Sequence, residues 1–110
     1  MQTQGLIEML QNFRLNIENL FNYLNNLETA FNLHEPEIQA FVPEENRFTR
    51  LHAEADALFL KFPDPDSRPK LFGLLVGVKD IFYVDGFQTR AGSKLPENEF
   101  RGEEAWVVSR

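Results

Sequence analysis

Few residues in this chain are of types that do chemistry. Lys79 stands at the end of an apolar run, Leu71 to Val78, and directly before Asp80. A lysine held in a dry site loses its proton more readily, because burial disfavours the ammonium, and it can then serve as a general base. The plainer reading is a strand-end lysine whose ammonium reaches solvent or a carboxylate. Asp80 either steadies such a site or is an ordinary strand-end charge. His34 and His52, the two histidines, lie 52 − 34 = 18 positions apart with no pairing motif. Their spacing points neither to a metal site nor to a base beside a hydroxyl, and no pattern asks for a cofactor. The serines are Ser67, Ser93 and Ser109. Ser93, in Ala91-Gly92-Ser93, reads as a loop serine bonded to nearby backbone. With no cysteine, disulfides, thiol nucleophiles and cysteine-held metals are excluded.

The elements that must position these residues are read from periodicity. Leu6, Leu10, Phe13, Ile17, Leu20, Leu24, Leu27 and Phe31 are spaced by alternating fours and threes, one helical face with room for a break near Arg14 to Asn16. Ile7, Met9, Phe21 and Tyr23 widen the stripe, which favours a helix lying on a core over a coiled-coil seam. Self-association through Leu6 to Phe31 is the alternative. The chain is expected to turn at His34-Glu35-Pro36, to run extended over Ile38 to Val42, and to start a second helix near Pro43, Glu44 and Glu45. Phe48, Leu51, Ala55, Leu58, Phe59 and Phe62 form its apolar face. The three prolines of Phe62 to Pro69 then make a connecting loop. Leu71 to Val78, with Gly73 and Gly77 inside it, reads as a strand buried on both faces. Asp80 to Val84 continues extended, Asp85-Gly86 signals a hairpin or sharp reversal, and Glu103 to Val108 reads as a helix opening. Helices, strand, then helix is an α/β pattern. The expected architecture is therefore N-terminal helices (1–62), a linker (63–70), and the first strands of a mixed sheet with a hairpin-like turn and a helix start (71–110), the opening part of a larger domain.

Composition narrows the function classes. The 110 residues carry 11 Lys plus Arg against 17 Asp plus Glu, a net charge of −6. That balance opposes binding to nucleic acid, which needs a basic face, and docking on anionic lipid. A hydrophobic fraction of 43% with 11 Phe supplies a core. Leu71 to Val78 is too short to span a bilayer, and Met1 to Gly5 lacks the basic run of a signal peptide. The expectation is a cytoplasmic protein.

The segment Leu71-Phe72-Gly73-Leu74-Leu75-Val76-Gly77-Val78-Lys79-Asp80 resembles the lysine-bearing strand of the amidase signature family, whose pattern passes through an apolar run into valine-lysine-aspartate. Val84 to Ser93, with its glycine, threonine and Ala-Gly-Ser, is similar to the continuation of that pattern. Ile38 to Val42, the alanines Ala53, Ala55 and Ala57, and Glu104-Ala105 with Val107-Val108 fit more loosely, so the likeness covers roughly residues 36–110. Lys70, Leu75 and Gln88 stand where the family carries prolines. The resemblance implies an incomplete amidase-signature fold and hydrolysis of carboxylic amides, or the glutamine-amide step of tRNA-dependent amidotransferases, through a Ser–Ser–Lys triad. Lys79 carries over as its general base. The two serines belong to a Gly- and Ser-rich segment further along the family's chain, and Ser93 does not match them. The chain by itself is accordingly expected to be inactive and marginally stable, with the amide substrate bound only once the missing part completes the site. Two other readings stand beside this one: a non-catalytic helical interaction protein, and one half of a split amidase or amidotransferase subunit.

Overall fold

The computed structural model describes residues 4–110. The reading of the N-terminus as a plain polar start falls, over Met1 to Thr3, outside the described residues. The chain forms two compact units, Met1–Leu74 and Leu75–Arg110.

The first unit contains three helices, α1 (Leu6–Leu15), α2 (Ile17–Ile38) and α3 (Arg47–Lys61), with α1 packed on α2 and α2 on α3. The apolar stripe is one face in sequence but two helices in space. Asn16 is extended, at φ −155° and ψ 134°, and its side-chain oxygen accepts a hydrogen bond from Glu18 N at 3.0 Å, an N-cap that starts α2. Asn19 Nδ2 donates to the Asn12 carbonyl at 2.8 Å across the break. The rings of Phe13 and Tyr23 meet edge to face at 5.3 Å. Ten residues of unbroken helix would hold them about 15 Å apart, so the chain doubles back. Leu10, Phe13, Leu20 and Leu24 are buried by this packing, and Ile17, Leu27 and Phe31 half-buried, while Leu6 stays exposed.

The turn expected at Pro36 comes later. α2 runs through Pro36, because a proline in the last turn removes only one intrahelical donor there. Gln39, in the left-handed region at φ 52°, closes the helix by donating from its backbone to Glu35 O at 2.8 Å. The Glu35 carboxylate accepts from Phe41 N, also at 2.8 Å. Ile38 is thus helical, and the extended piece expected over Ile38 to Val42 is replaced by this cap. α3 starts at Arg47, after Asn46 at φ 60°, four residues beyond Pro43. It turns Phe48 and Ala55 fully inward and half-buries Leu51, Leu58 and Phe59.

The segment 63–70 is more than a connector. Asp64 accepts from Asp66 N at 3.0 Å and caps a short 3-10 turn, Pro65–Ser67. Arg68 donates to the carbonyls of Phe62 (2.9 Å), Pro63 (3.4 Å) and Arg14, and so ties the end of α3 to the end of α1. Its guanidinium lies 4.6 Å from the Phe59 ring centre and 5.2 Å from that of Phe72. Phe72 is 1% exposed and meets Phe59 at 4.8 Å, nearly perpendicular at 87°.

The expected α/β architecture is overturned: among the described residues there is no strand and no sheet, only helices, turns and extended coil. The run Leu71 to Val78 is divided. Phe72 N donates to Pro69 O and Leu74 N to Leu71 O, both at 3.0 Å, so its first half is a tight turn through Gly73 at φ +81°. A Cβ on Gly73 would come within 3.2 Å of Phe13 and 3.3 Å of Leu20. The glycine therefore serves a turn pressed under helix side chains rather than a strand. The second half is extended, but Val76 is 73% exposed. A doubly buried strand needs neighbours for its backbone groups and its two faces, and no described segment pairs with this one. The mixed sheet is absent for the same reason.

In the second unit the regular elements are a 3-10 turn (Glu97–Phe100) and α4 (Trp106–Ser109). α4 begins after the acidic pair that was expected to open it, because the Glu104 carboxylate is engaged by Asp85 N at 3.1 Å. No helix of the described residues is long and apolar enough to cross a membrane.

Candidate functional site

Lys79 lies on the second unit, at the foot of a closed loop running from residue 79 to residue 93. Its carbonyl accepts from Ile81 N at 2.8 Å and from Phe82 N at 3.1 Å, so the chain turns immediately after it. Asp80 closes the loop. Its carboxylate faces Arg90 N with both oxygens, at 3.2 and 3.3 Å, and its carbonyl accepts from Ala91 N at 2.9 Å. A second cross-link lies further in: Thr89, 7% exposed, donates its hydroxyl to Phe82 O at 3.2 Å. At the far end Phe87 N donates to Val84 O at 3.1 Å, with Gly86 at φ +84°. A positive φ at the third residue of a four-residue turn is the type II signature that glycine fills. The reversal signalled by Asp85-Gly86 is present, but its arms are joined by single bonds instead of a strand ladder.

The loop leaves through a second tight turn. Ser93 N donates to Arg90 O at 2.8 Å, with Ala91 at φ +49° and Gly92 at φ +70°. Two successive positive φ values define the hairpin-type turn that prefers glycine or asparagine, and Ala91 occupies it against its own preference. The Ser93 hydroxyl oxygen accepts from Leu95 N at 3.0 Å, a local backbone bond. Next to the loop a cleft of about 270 Å³ is lined by Tyr83, Phe87, Thr89, Phe100, Arg101 and Gly102, among others. A Cβ on Gly102 would sit 2.8 Å from the Tyr83 ring, and Ala105 N donates to Tyr83 O at 2.8 Å, so 102–105 lies along the loop.

The structure thus brings Lys79-Asp80 together with Arg90-Ala91. Lys79 itself is exposed. Ser67 belongs to the helical unit, and Ser109 donates to Trp106 O at 2.9 Å in α4. His34 is exposed near the end of α2. The His52 ring on α3 lies 5.0 Å from that of Phe21 and its Nε2 3.1 Å from Asn25 Oδ1, fastening α3 to α2. No group of three or more His, Cys, Asp or Glu that could hold a metal occurs among the described residues. In sequence Thr89 and Glu104 read only as parts of the matched pattern and the last helix, and Gly102 is given no role; what they hold goes unread, because their partners lie 7 to 19 positions away along irregular chain. Only the Asp-Gly turn between them gave a local signal.

The perturbed ionisable groups are on the other unit. The Glu44 carboxyl is held below its ordinary value first by its hydrogen bond from Arg50, with Arg47 adding to this and partial burial opposing it. Arg50 is raised, chiefly by the same bond. Arg47 also lies 4.7 Å from the Phe31 ring centre and 5.4 Å from that of Phe41. These pairs brace the entry of α3.

No family model matches the chain, and no solved structure matches it. The chain is similar to a glutamyl-tRNA(Gln) amidotransferase subunit of Wolbachia pipientis subsp. Culex pipiens (strain wPip), with 39% identity over 80 residues. That stretch is 71% of this chain and 16% of the relative, so the chain matches only a small part of the relative's length.

Proposed function

We propose that this chain is an amidase-type segment whose Lys79 supplies the general base for breaking a carboxylic amide C–N bond, as one piece of an amidase or of a tRNA-dependent amidotransferase. The 39% identity to the Wolbachia amidotransferase protein carries the reading. A serine hydroxyl attacks an amide carbonyl only when a neighbour takes its proton, and a lysine takes it only where its charged form is disfavoured. Lys79 is exposed in this chain, so its work as a base requires further protein to cover it. The attacking serine, the bridging serine and the oxyanion donors are likewise assigned to that further protein. The chain alone is inactive on this reading, in a cytoplasmic setting.

The test is a graft. This chain replaces the matching stretch of the Wolbachia protein, and glutamine hydrolysis is assayed with Lys79 intact and with Lys79→Met. The expected result is activity from the first and a loss of about 10³-fold or more in the second, the scale of removing a catalytic base. Equal activity of the two grafts overturns the role of Lys79.

A further inference from the structure

We infer that Asp80 is a positioning residue for Lys79, acting through backbone geometry rather than through charge. This rests on the amidase-type reading of Lys79 and adds to it the device that fixes the base. The observations are local. Asp80 is half-buried and presents both carboxylate oxygens to Arg90 N, while its carbonyl takes Ala91 N. The residue directly before it is Lys79, whose carbonyl is tied by Ile81 N and Phe82 N. Three consecutive peptide units, 79–80, 80–81 and 81–82, thereby each carry a hydrogen bond, and the lysine stem leaves the chain directly before them. Among the described residues no ion pair joins Lys79 to Asp80, whose carboxylate is engaged by a backbone donor instead. A carboxylate paired with the ammonium would favour the protonated lysine and work against a base.

The far side of the clasp carries strain that matches this role. Ala91 holds a left-handed backbone that a non-glycine residue adopts only at a cost, and such a residue persists only where its surroundings over-determine it. The bond from its own N–H to Asp80 O is one of the two that hold it, the other being the Ser93 N to Arg90 O bond around it. Asp80 therefore joins the base-bearing residue to the strained turn, and a change at either side reaches the other through one residue.

The test uses the full 110-residue chain, labelled with nitrogen-15, as wild type, Asp80→Asn and Asp80→Ala. Asparagine keeps an oxygen that accepts from Arg90 N and removes the charge; alanine removes both. Expected for Asp80→Ala is a fall in the Lys79 amide order parameter from about 0.8 to below about 0.6, with Arg90 amide exchange faster by about 10-fold. Asp80→Asn retains the order at Lys79 and slows or speeds Arg90 exchange by no more than about 2-fold. The Ala105 amide, bonded to Tyr83 O, serves as the control and keeps its protection in both variants. An unchanged Lys79 order parameter in Asp80→Ala overturns the inference. Equal loss in Asp80→Asn, or loss of Ala105 protection along with Arg90, also overturns it, because charge or general unfolding would then be the cause. None of these failures touches the Lys79→Met graft, which tests the underlying reading separately.

Discussion

The two units of this chain are held together by different physics. The buried apolar residues, Leu10, Phe13, Leu20, Leu24, Phe48, Ala55 and Phe72, all belong to Met1–Leu74. In Leu75–Arg110 the fully buried residue among those described is Thr89, a hydroxyl on a backbone carbonyl, while Val76, Ile81, Leu95, Trp106 and Val107 are all more than half exposed. A side chain of that kind removed from water contributes about 1.5–3 kcal/mol, whereas a single backbone hydrogen bond contributes about 1 kcal/mol net. The helical unit therefore stands on its own core. The loop unit stands on turns and single bonds, and it is the unit that carries Lys79.

The largest expected effect that separates the two comes from Phe72→Ala. Phe72 sits between Phe59, Phe62 and the Arg68 guanidinium, and its removal is expected to destabilise the helical unit by about 3–5 kcal/mol in chemical denaturation. The Ala105 and Arg90 amides should keep their exchange rates below the transition. Coupled loss at those amides would mean that the second unit borrows its stability from the first.

Arg68→Ala comes next. It removes three carbonyl contacts and two ring contacts at once and leaves the carbonyl at the end of α1 without this donor. A loss of about 1–3 kcal/mol is expected, and Arg68→Lys should recover little of it, since an ammonium cannot reproduce the planar fork. Recovery by lysine would show that charge, not geometry, is what Arg68 supplies.

Acid titration gives a smaller effect. Glu44 has a folded value below its ordinary 4.5, so its contribution is fully present above that value and is lost as pH falls through the folded one. Its partners Arg47 and Arg50 are 15% and 35% exposed, so the pair is partly screened and its worth is under about 1 kcal/mol. Glu44→Gln should flatten the acid side of the stability profile of the helical unit, most clearly at low salt, and leave stability at pH 7 lower by that amount. An unchanged profile would show that Glu44 does not brace α3.

The smallest expected effect is a gain. Ala91→Gly relieves the left-handed strain and should stabilise the loop unit by up to about 1 kcal/mol, read as slower exchange at Arg90 and Ala91. Faster exchange there would show that the turn is not strained by its alanine.

Much of the helical unit is legible in the sequence, because an amphipathic helix states its own period. The inward face of α3 was readable from Phe48 to Phe59, and so was room for a break near Arg14 to Asn16, though not the Asn16 cap on Glu18 N that makes it. Pro36 misled because proline ends a helix only where its missing donor matters, and in the last turn it does not. The strand over Leu71 to Val78 misled for a deeper reason. An apolar run states that a segment prefers burial but not what will bury it, and a strand exists only with a partner. Half of this run found helix side chains to lie under, and the other half found nothing to pair with. The Asp85-Gly86 turn was readable because its signal is two adjacent residues. The clasp of Asp80 on Arg90 and the reach of Arg68 to Arg14 were not, since both join residues that only the folded chain brings together.

The helical unit stands on its own buried core, while the lysine-bearing unit is held by a handful of bonds. Native-state hydrogen exchange on the whole chain tests this contrast most directly. Amides of α1, α2 and α3 are expected to open only with global unfolding of their unit, while in Leu75–Arg110 protection is weak and confined to the bonded amides, Arg90, Ala91 and Ala105 foremost. Strong, uniform protection across both units, lost in a single step, would contradict it.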